Sequence, residues 1–196
     1  MNTKYPDPYF QTPKELAGAH YDALMRTKET AMSFLSTSDD RLCLAAACVC
    51  HAVWKCGPDP KLTQACRRIA TSRADESTRI YAISLLGTVL DSSRSRDNSR
   101  FLADLAMDST NGIEVRREAY WALVRVERGE DGMDFDVSLK NTIRLVKRVI
   151  RAFPTRFSEQ EAKLDLTPQP GFPEDYWESA DDIDWDFVAR FASNQG

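Results

Sequence analysis

Apolar positions along the chain gather into runs with steps of three and four, separated by short polar or proline-containing breaks. The first run covers 13–35, with Leu16, Ala19, Ala23, Ala31 and Phe34 as its apolar positions. Pro13 suits a first helical position, and Thr12 before it can cap. Ser36-Thr37-Ser38-Asp39-Asp40 closes this run and caps the next, 41–56, which Gly57-Pro58-Asp59-Pro60 stops. The same spacing predicts helices over 61–73, 77–90, 99–107, 114–127 and 137–153, the last ended by Pro154. No segment predicts a strand, so the expected class is all-α.

A shorter pattern recurs inside these runs. Arg41-Leu42-Cys43-Leu44, Arg79-Ile80-Tyr81-Ala82 and Arg116-Arg117-Glu118-Ala119 each open a helix, and the lead arginines stand 38 and 37 positions apart. A fixed period of that size predicts stacked helix pairs. An alanine three residues after the arginine lets neighbouring helices approach closely. Leu85, Leu86, Ala122 and Leu123 then fill the space between layers. Arginine near a helix start is unfavourable to the helix dipole. It is expected to bond an acidic turn, such as Asp75 or Asp108, as a structural ladder.

The runs Thr78-Arg79-Ile80-Tyr81-Ala82-Ile83-Ser84-Leu85-Leu86-Gly87 and Val115-Arg116-Arg117-Glu118-Ala119-Tyr120-Trp121-Ala122-Leu123 resemble HEAT-like repeats. The subtype is the one first named from phycobilisome lyases, with its Val-Arg-x-x-Ala-x-x-Ala-Leu-Gly helix. The resemblance covers 39–153, and its first copy departs by carrying Leu44 in place of the alanine. It implies a short right-handed α-solenoid of HEAT-like helix pairs, placed at 1–163, followed by an acidic tail at 164–196. It also implies that alternate helices line a concave side carrying Lys61, Arg67, Arg68, Arg73 and Arg100, with Arg94 and Arg96 in the turn before.

Charge divides the chain in the same place. The net charge of −4 is the sum of a basic excess of three up to Lys163 and a tail with eight acids and only Arg190. No charged-then-apolar leader opens the sequence, and the longest mostly apolar run, 42–53, is too short to span a membrane. The expectation is a cytoplasmic protein with no membrane partner. Five cysteines, Cys43, Cys48, Cys50, Cys56 and Cys66, sit on predicted helices in an odd number, which fits buried reduced thiols better than a disulfide framework.

Catalytic chemistry finds little footing. Cys48, Cys50 and His51 cluster in sequence, but their offsets on a helix do not converge as zinc ligands must. No nucleophile has a positioned base, no glycine-rich loop cradles phosphate, and no carboxylate pair is singled out. The reading is therefore no enzyme, no catalytic residue, no metal and no cofactor.

Two segments carry the candidate binding residues. On the helix predicted at 137–153, Lys140, Arg144, Lys147, Arg148 and Arg151 form a basic stripe beside an apolar one of Leu139, Ile143, Val146, Ile150 and Phe153. The tail couples acids to aromatics: Tyr176 and Trp177, then Asp181, Asp182, Asp184 and Trp185. A short helix is expected near 180–192, with Ser179 able to cap it. Ile183, Phe187 and Phe191 would share one side, a docking pattern. The dock is the body itself, a basic partner protein, or the basic groove in place of nucleic acid.

The function expected first is non-catalytic protein binding, in concrete form a small bacterial inhibitor or immunity protein masking a basic partner. The alternatives are nucleic-acid binding in a basic concave groove regulated by the tail and, by resemblance alone, a phycobilin-lyase-like enzyme.

Overall fold

Aspartate side chains cap three of the main helices, those beginning at Asp40, Pro60 and Glu76. In the computed structural model, which describes residues 13–129 and 183–193, Asp39 accepts from the amides of Arg41 and Leu42 at 3.0 and 3.1 Å. Asp59 does the same for Lys61 and Leu62 at 2.8 and 3.4 Å, and Asp75 accepts from Thr78 at 2.9 Å. Each such cap satisfies amides that the helix leaves unpaired and contributes about 1 kcal/mol.

All regular structure among the described residues is helical. In chain order it comprises α1 (Pro13–Ala17), a 3-10 turn (Gly18–His20), α2 (Tyr21–Leu24), α3 (Lys28–Phe34) and α4 (Asp40–Ala52). Then follow α5 (Pro60–Ala70), α6 (Glu76–Val89), α7 (Arg96–Met107), α8 (Ile113–Arg128) and α9 (Trp185–Ala189). The helix predicted over 13–35 is thus several short ones. Gly18 turns the backbone left-handed at φ 52°, and Thr27 caps a new helix by accepting from Thr30 at 3.1 Å. The helix predicted at 137–153 lies outside the described residues.

Three helices form a row. α6 packs against α4 on one side and α8 on the other. α5 lies across α4 and α6, α7 lies on α8, and α1 and α3 cover the outer side of α4. Being covered from several directions, α4 is buried without interruption from Leu42 to Cys50. By contrast, α5 and α7 are one-sided. Leu62, Ala65, Cys66 and Ile69 turn inward on the first, and Leu102, Ala103, Leu105 and Ala106 on the second.

Two of the repeated arginines, Arg79 and Arg116, donate hydrogen bonds to backbone carbonyls and an amide oxygen, while Arg41 acts on the acidic turn at Asp75 as a charge. Arg79 Nε donates to the Ala70 carbonyl at 2.9 Å, and Arg116 Nε donates to the Ala106 carbonyl at 2.8 Å. These carbonyls end α5 and α7, where a helix has no N–H donors of its own left to pair them. A guanidinium there also meets the negative end of the dipole. Arg79 Nη2 reaches on to Asn111 Oδ1 at 2.6 Å in the following turn. The acids feel the arginines as charges. Thr110 hydrogen bonds first, then Arg116 and Arg79, hold the Asp108 carboxyl below its ordinary pKa.

Candidate functional site

The outward sides of α5 and α7 border an open groove of 820 Å³. Pro58, Pro60, Leu90, Ser93 and Ser95 belong to its lining. Along the walls stand Thr63, Gln64, Arg67, Arg68 and Thr71 from α5 and Asp97, Asn98 and Phe101 from α7. The one-sidedness of each helix produces this: apolar residues turn to the row beneath, which leaves the polar positions facing one another.

Its two arginines differ in how they are held. Arg68 is engaged, donating to the Thr37 carbonyl at 2.7 Å and standing 3.6 Å from Asp40. Arg67 places its guanidinium carbon 4.4 Å from the Phe101 ring centroid, with Nη1 at 3.5 Å from Asn98 Oδ1. Among the described residues its other donors meet no acceptor. A guanidinium held against a ring keeps its place while its remaining donors stay available. Asn98 is buried and in turn donates to Ser95 Oγ at 2.8 Å. Lys61, Arg73, Arg94, Arg96 and Arg100, placed on the concave side by resemblance, are all solvent-exposed.

Side-chain hydrogen bonds in and near the groove join elements far apart in the chain. Arg67 to Asn98 spans 31 residues, Arg68 to Thr37 31, Arg79 to Asn111 32 and Arg125 to Thr88 37. The turn between α6 and α7 joins the same scheme. Ser92 and Arg94, both at positive φ, donate their amides to the Arg125 and Val126 carbonyls at 3.1 and 3.0 Å.

The cysteines pack in the core, and burial holds the thiols of Cys43, Cys48, Cys50 and Cys66 protonated. All five are free and buried. Desolvation pushes Cys48 and Cys50 up to about 12, raises Cys43, and raises Cys66 strongly. A thiol held protonated is neither nucleophile nor metal ligand. Burial, with the Lys55 charge second, also lowers the His51 pKa, which keeps that ring neutral. No group of three His, Cys, Asp or Glu among the described residues is arranged to hold a metal. No helix among them is long and apolar enough to cross a membrane.

Of the candidate binding residues, Asp184 and Trp185 are described, and both belong to a segment docked on α7 and α8. Asp184 caps α9, accepting from Phe187 at 2.8 Å, and Ser179 lies outside the described residues. Trp185 is half-buried, with the Arg116 guanidinium 4.7 Å from its centroid. Phe187 is buried between Arg128 at 4.4 Å and an edge-on Tyr120 at 6.3 Å. Ser193 ties the end down, its amide and hydroxyl reaching Asp104 at 2.8 and 2.6 Å. Ile183, Phe187 and Phe191 do share the docking side, the first two buried and the third partly so. Lys140, Arg144, Lys147, Arg148, Arg151, Tyr176, Trp177, Asp181 and Asp182 lie outside the described residues.

The Arg67–Phe101 contact was not legible as a site in the sequence. Its members are 34 positions apart, and the signal available was that both fall on the polar sides of one-sided helices in neighbouring repeats. No protein family, curated protein or solved structure matches the chain.

Proposed function

We propose that the protein is a short HEAT-like α-solenoid that acts as a non-catalytic protein-binding module through the groove between α5 and α7. The observation that carries this reading is the groove itself. It is an open trough walled by consecutive repeat units and lined with hydroxyls, amides, prolines and an arginine held on an aromatic ring. Such a lining offers hydrogen bonds to a peptide backbone and apolar patches to its side chains. Hydrogen bonds between distant elements hold the trough in one shape, which lowers the ordering cost of binding. The inhibitor or immunity role is one form of this activity. In the described part of the tail, Trp185 and Phe187 face the protein's own body, which leaves the groove as the better-supported recognition surface.

Site-specific photo-crosslinking tests the reading. A benzophenone side chain placed at Gln64 or Thr71 in the full chain, in its native host, is expected to capture one protein species identifiable by mass spectrometry. The same group at Thr88, exposed on α6, is expected to capture none. Adducts that disappear on nuclease treatment would favour the nucleic-acid reading, and equal labelling at all three positions would remove the groove from consideration.

A further inference from the structure

We infer that the groove recognises a carboxylate-bearing peptide segment and that Arg67 is the residue that reads the carboxylate. The inference rests on the protein-binding reading above and adds the chemistry of the partner. Arg67 is held against the Phe101 ring at 4.4 Å with Asn98 beside it, so its position is set by the fold. Its remaining guanidinium donors meet no acceptor among the described residues. Two parallel N–H groups on a planar guanidinium match the geometry of a carboxylate. The neighbouring arginine does not compete for the ligand, because Arg68 is occupied by the Thr37 carbonyl and Asp40.

The surroundings favour a single carboxylate over a phosphate backbone. Asp97 also lines the groove and Asp40 stands against Arg68, so a continuous polyanion meets two repulsive charges beside one free guanidinium. Nucleic-acid binding draws its affinity from several phosphate contacts at once. Thr63, Gln64, Thr71 and Ser95 supply uncharged partners for peptide amides and carbonyls on either side.

The test uses the full chain labelled with 15N and three probes. The first is an octapeptide with a single Glu among Leu, Ser and Pro residues, blocked at both ends. The second is the same peptide with Gln for Glu, and the third is an eight-nucleotide oligothymidylate. The acidic peptide is expected to shift the Arg67 Nε–H resonance and the amides of α5 and α7, and to bind at least tenfold more tightly than the Gln peptide. Arg67→Gln is expected to abolish that preference while leaving Gln-peptide binding in place. Arg67→Lys, which keeps charge but loses the planar fork, is expected to recover less than half of the preference in free energy. Unchanged dispersion of the core resonances shows that each variant is folded.

Equal binding of the two peptides, or an unchanged preference in Arg67→Gln, overturns the carboxylate assignment and leaves the groove as a peptide site. Tighter binding of the oligonucleotide than of either peptide overturns it in favour of nucleic acid. Failure of all three probes to shift α5 or α7 overturns both this inference and the reading beneath it.

Discussion

Arg116 and Trp185 join the repeated motif to the tail. The arginine's Nε holds the Ala106 carbonyl at 2.8 Å, and its guanidinium carbon lies 4.7 Å from the Trp185 ring centroid. One side chain therefore closes the end of α7 and receives an aromatic from a segment about 70 residues further along. Arg79, the same rung one period earlier, uses its free nitrogen on Asn111 instead. A repeat device is adapted at this end of the described row to bind the chain's own tail.

That dock makes a prediction about the tail. Phe187→Ala removes a ring buried among Tyr120, Arg128 and Phe191. The expected loss is about 2 kcal/mol, below the usual cost for a fully enclosed core phenylalanine because the site can collapse. Hydrogen exchange of the α9 amides should quicken at least tenfold, while α4 and α6 stay protected. Equal loss of protection across the body would show the segment to be part of the cooperative core.

The closest approach of α6 and α8 gives a second prediction. A Cβ on Gly87 would stand 2.8 Å from Ala122 Cα and 2.9 Å from its Cβ. Alanine is intrinsically the better helix former by about 1 kcal/mol, yet the backbone contact forces the helices apart at about 1–3 kcal/mol. Gly87→Ala should therefore lower the urea midpoint on balance. Gly57, where nothing lies within 4 Å of the added atom, should tolerate alanine with little change.

The arginine rungs are expected to be non-interchangeable with lysine. Arg79 donates through Nε to Ala70 and through Nη2 to Asn111, a fork that an ammonium cannot reproduce. Arg79→Met should cost about 1–3 kcal/mol in chemical unfolding, since it leaves a carbonyl and an amide oxygen without their donor. Arg79→Lys should recover less than half of that.

Alkaline stability follows from the buried thiols. Cys48 and Cys50 move from 9.0 to about 12 on folding because burial disfavours the thiolate. Above about pH 9 the unfolded chain releases these protons and the folded chain does not, so stability is intact below that pH and falls through the window up to 12. Thermal melts between pH 8 and pH 11 should show a decline that is shallower in Cys48→Ala/Cys50→Ala. An unchanged slope would assign the decline to other groups. Thiol reagents at pH 8 should label the native protein far more slowly than the unfolded chain.

Much of the architecture was legible because it is local. The break Ser36-Thr37-Ser38-Asp39-Asp40 before an apolar run marks a helix start, since a carboxylate there accepts the free amides. Gly57-Pro58-Asp59-Pro60 marks a stop for an equally local reason. The first segment misled because Leu16, Ala23 and Phe34 keep helical spacing while Gly18 and Thr27 break the backbone between them. There a left-handed φ and a side-chain cap outweigh the periodicity.

By itself, the sequence determined the all-helical class, the helix starts and the period, because capping and amphipathic spacing act within a few residues. Only the tertiary structure decided which acceptors the repeated arginines take, which surface Trp185 and Phe187 cover, and that Arg67 lies on Phe101. Each of these depends on groups in different helices, from nine to about 70 positions apart, and helix packing alone brings them within reach.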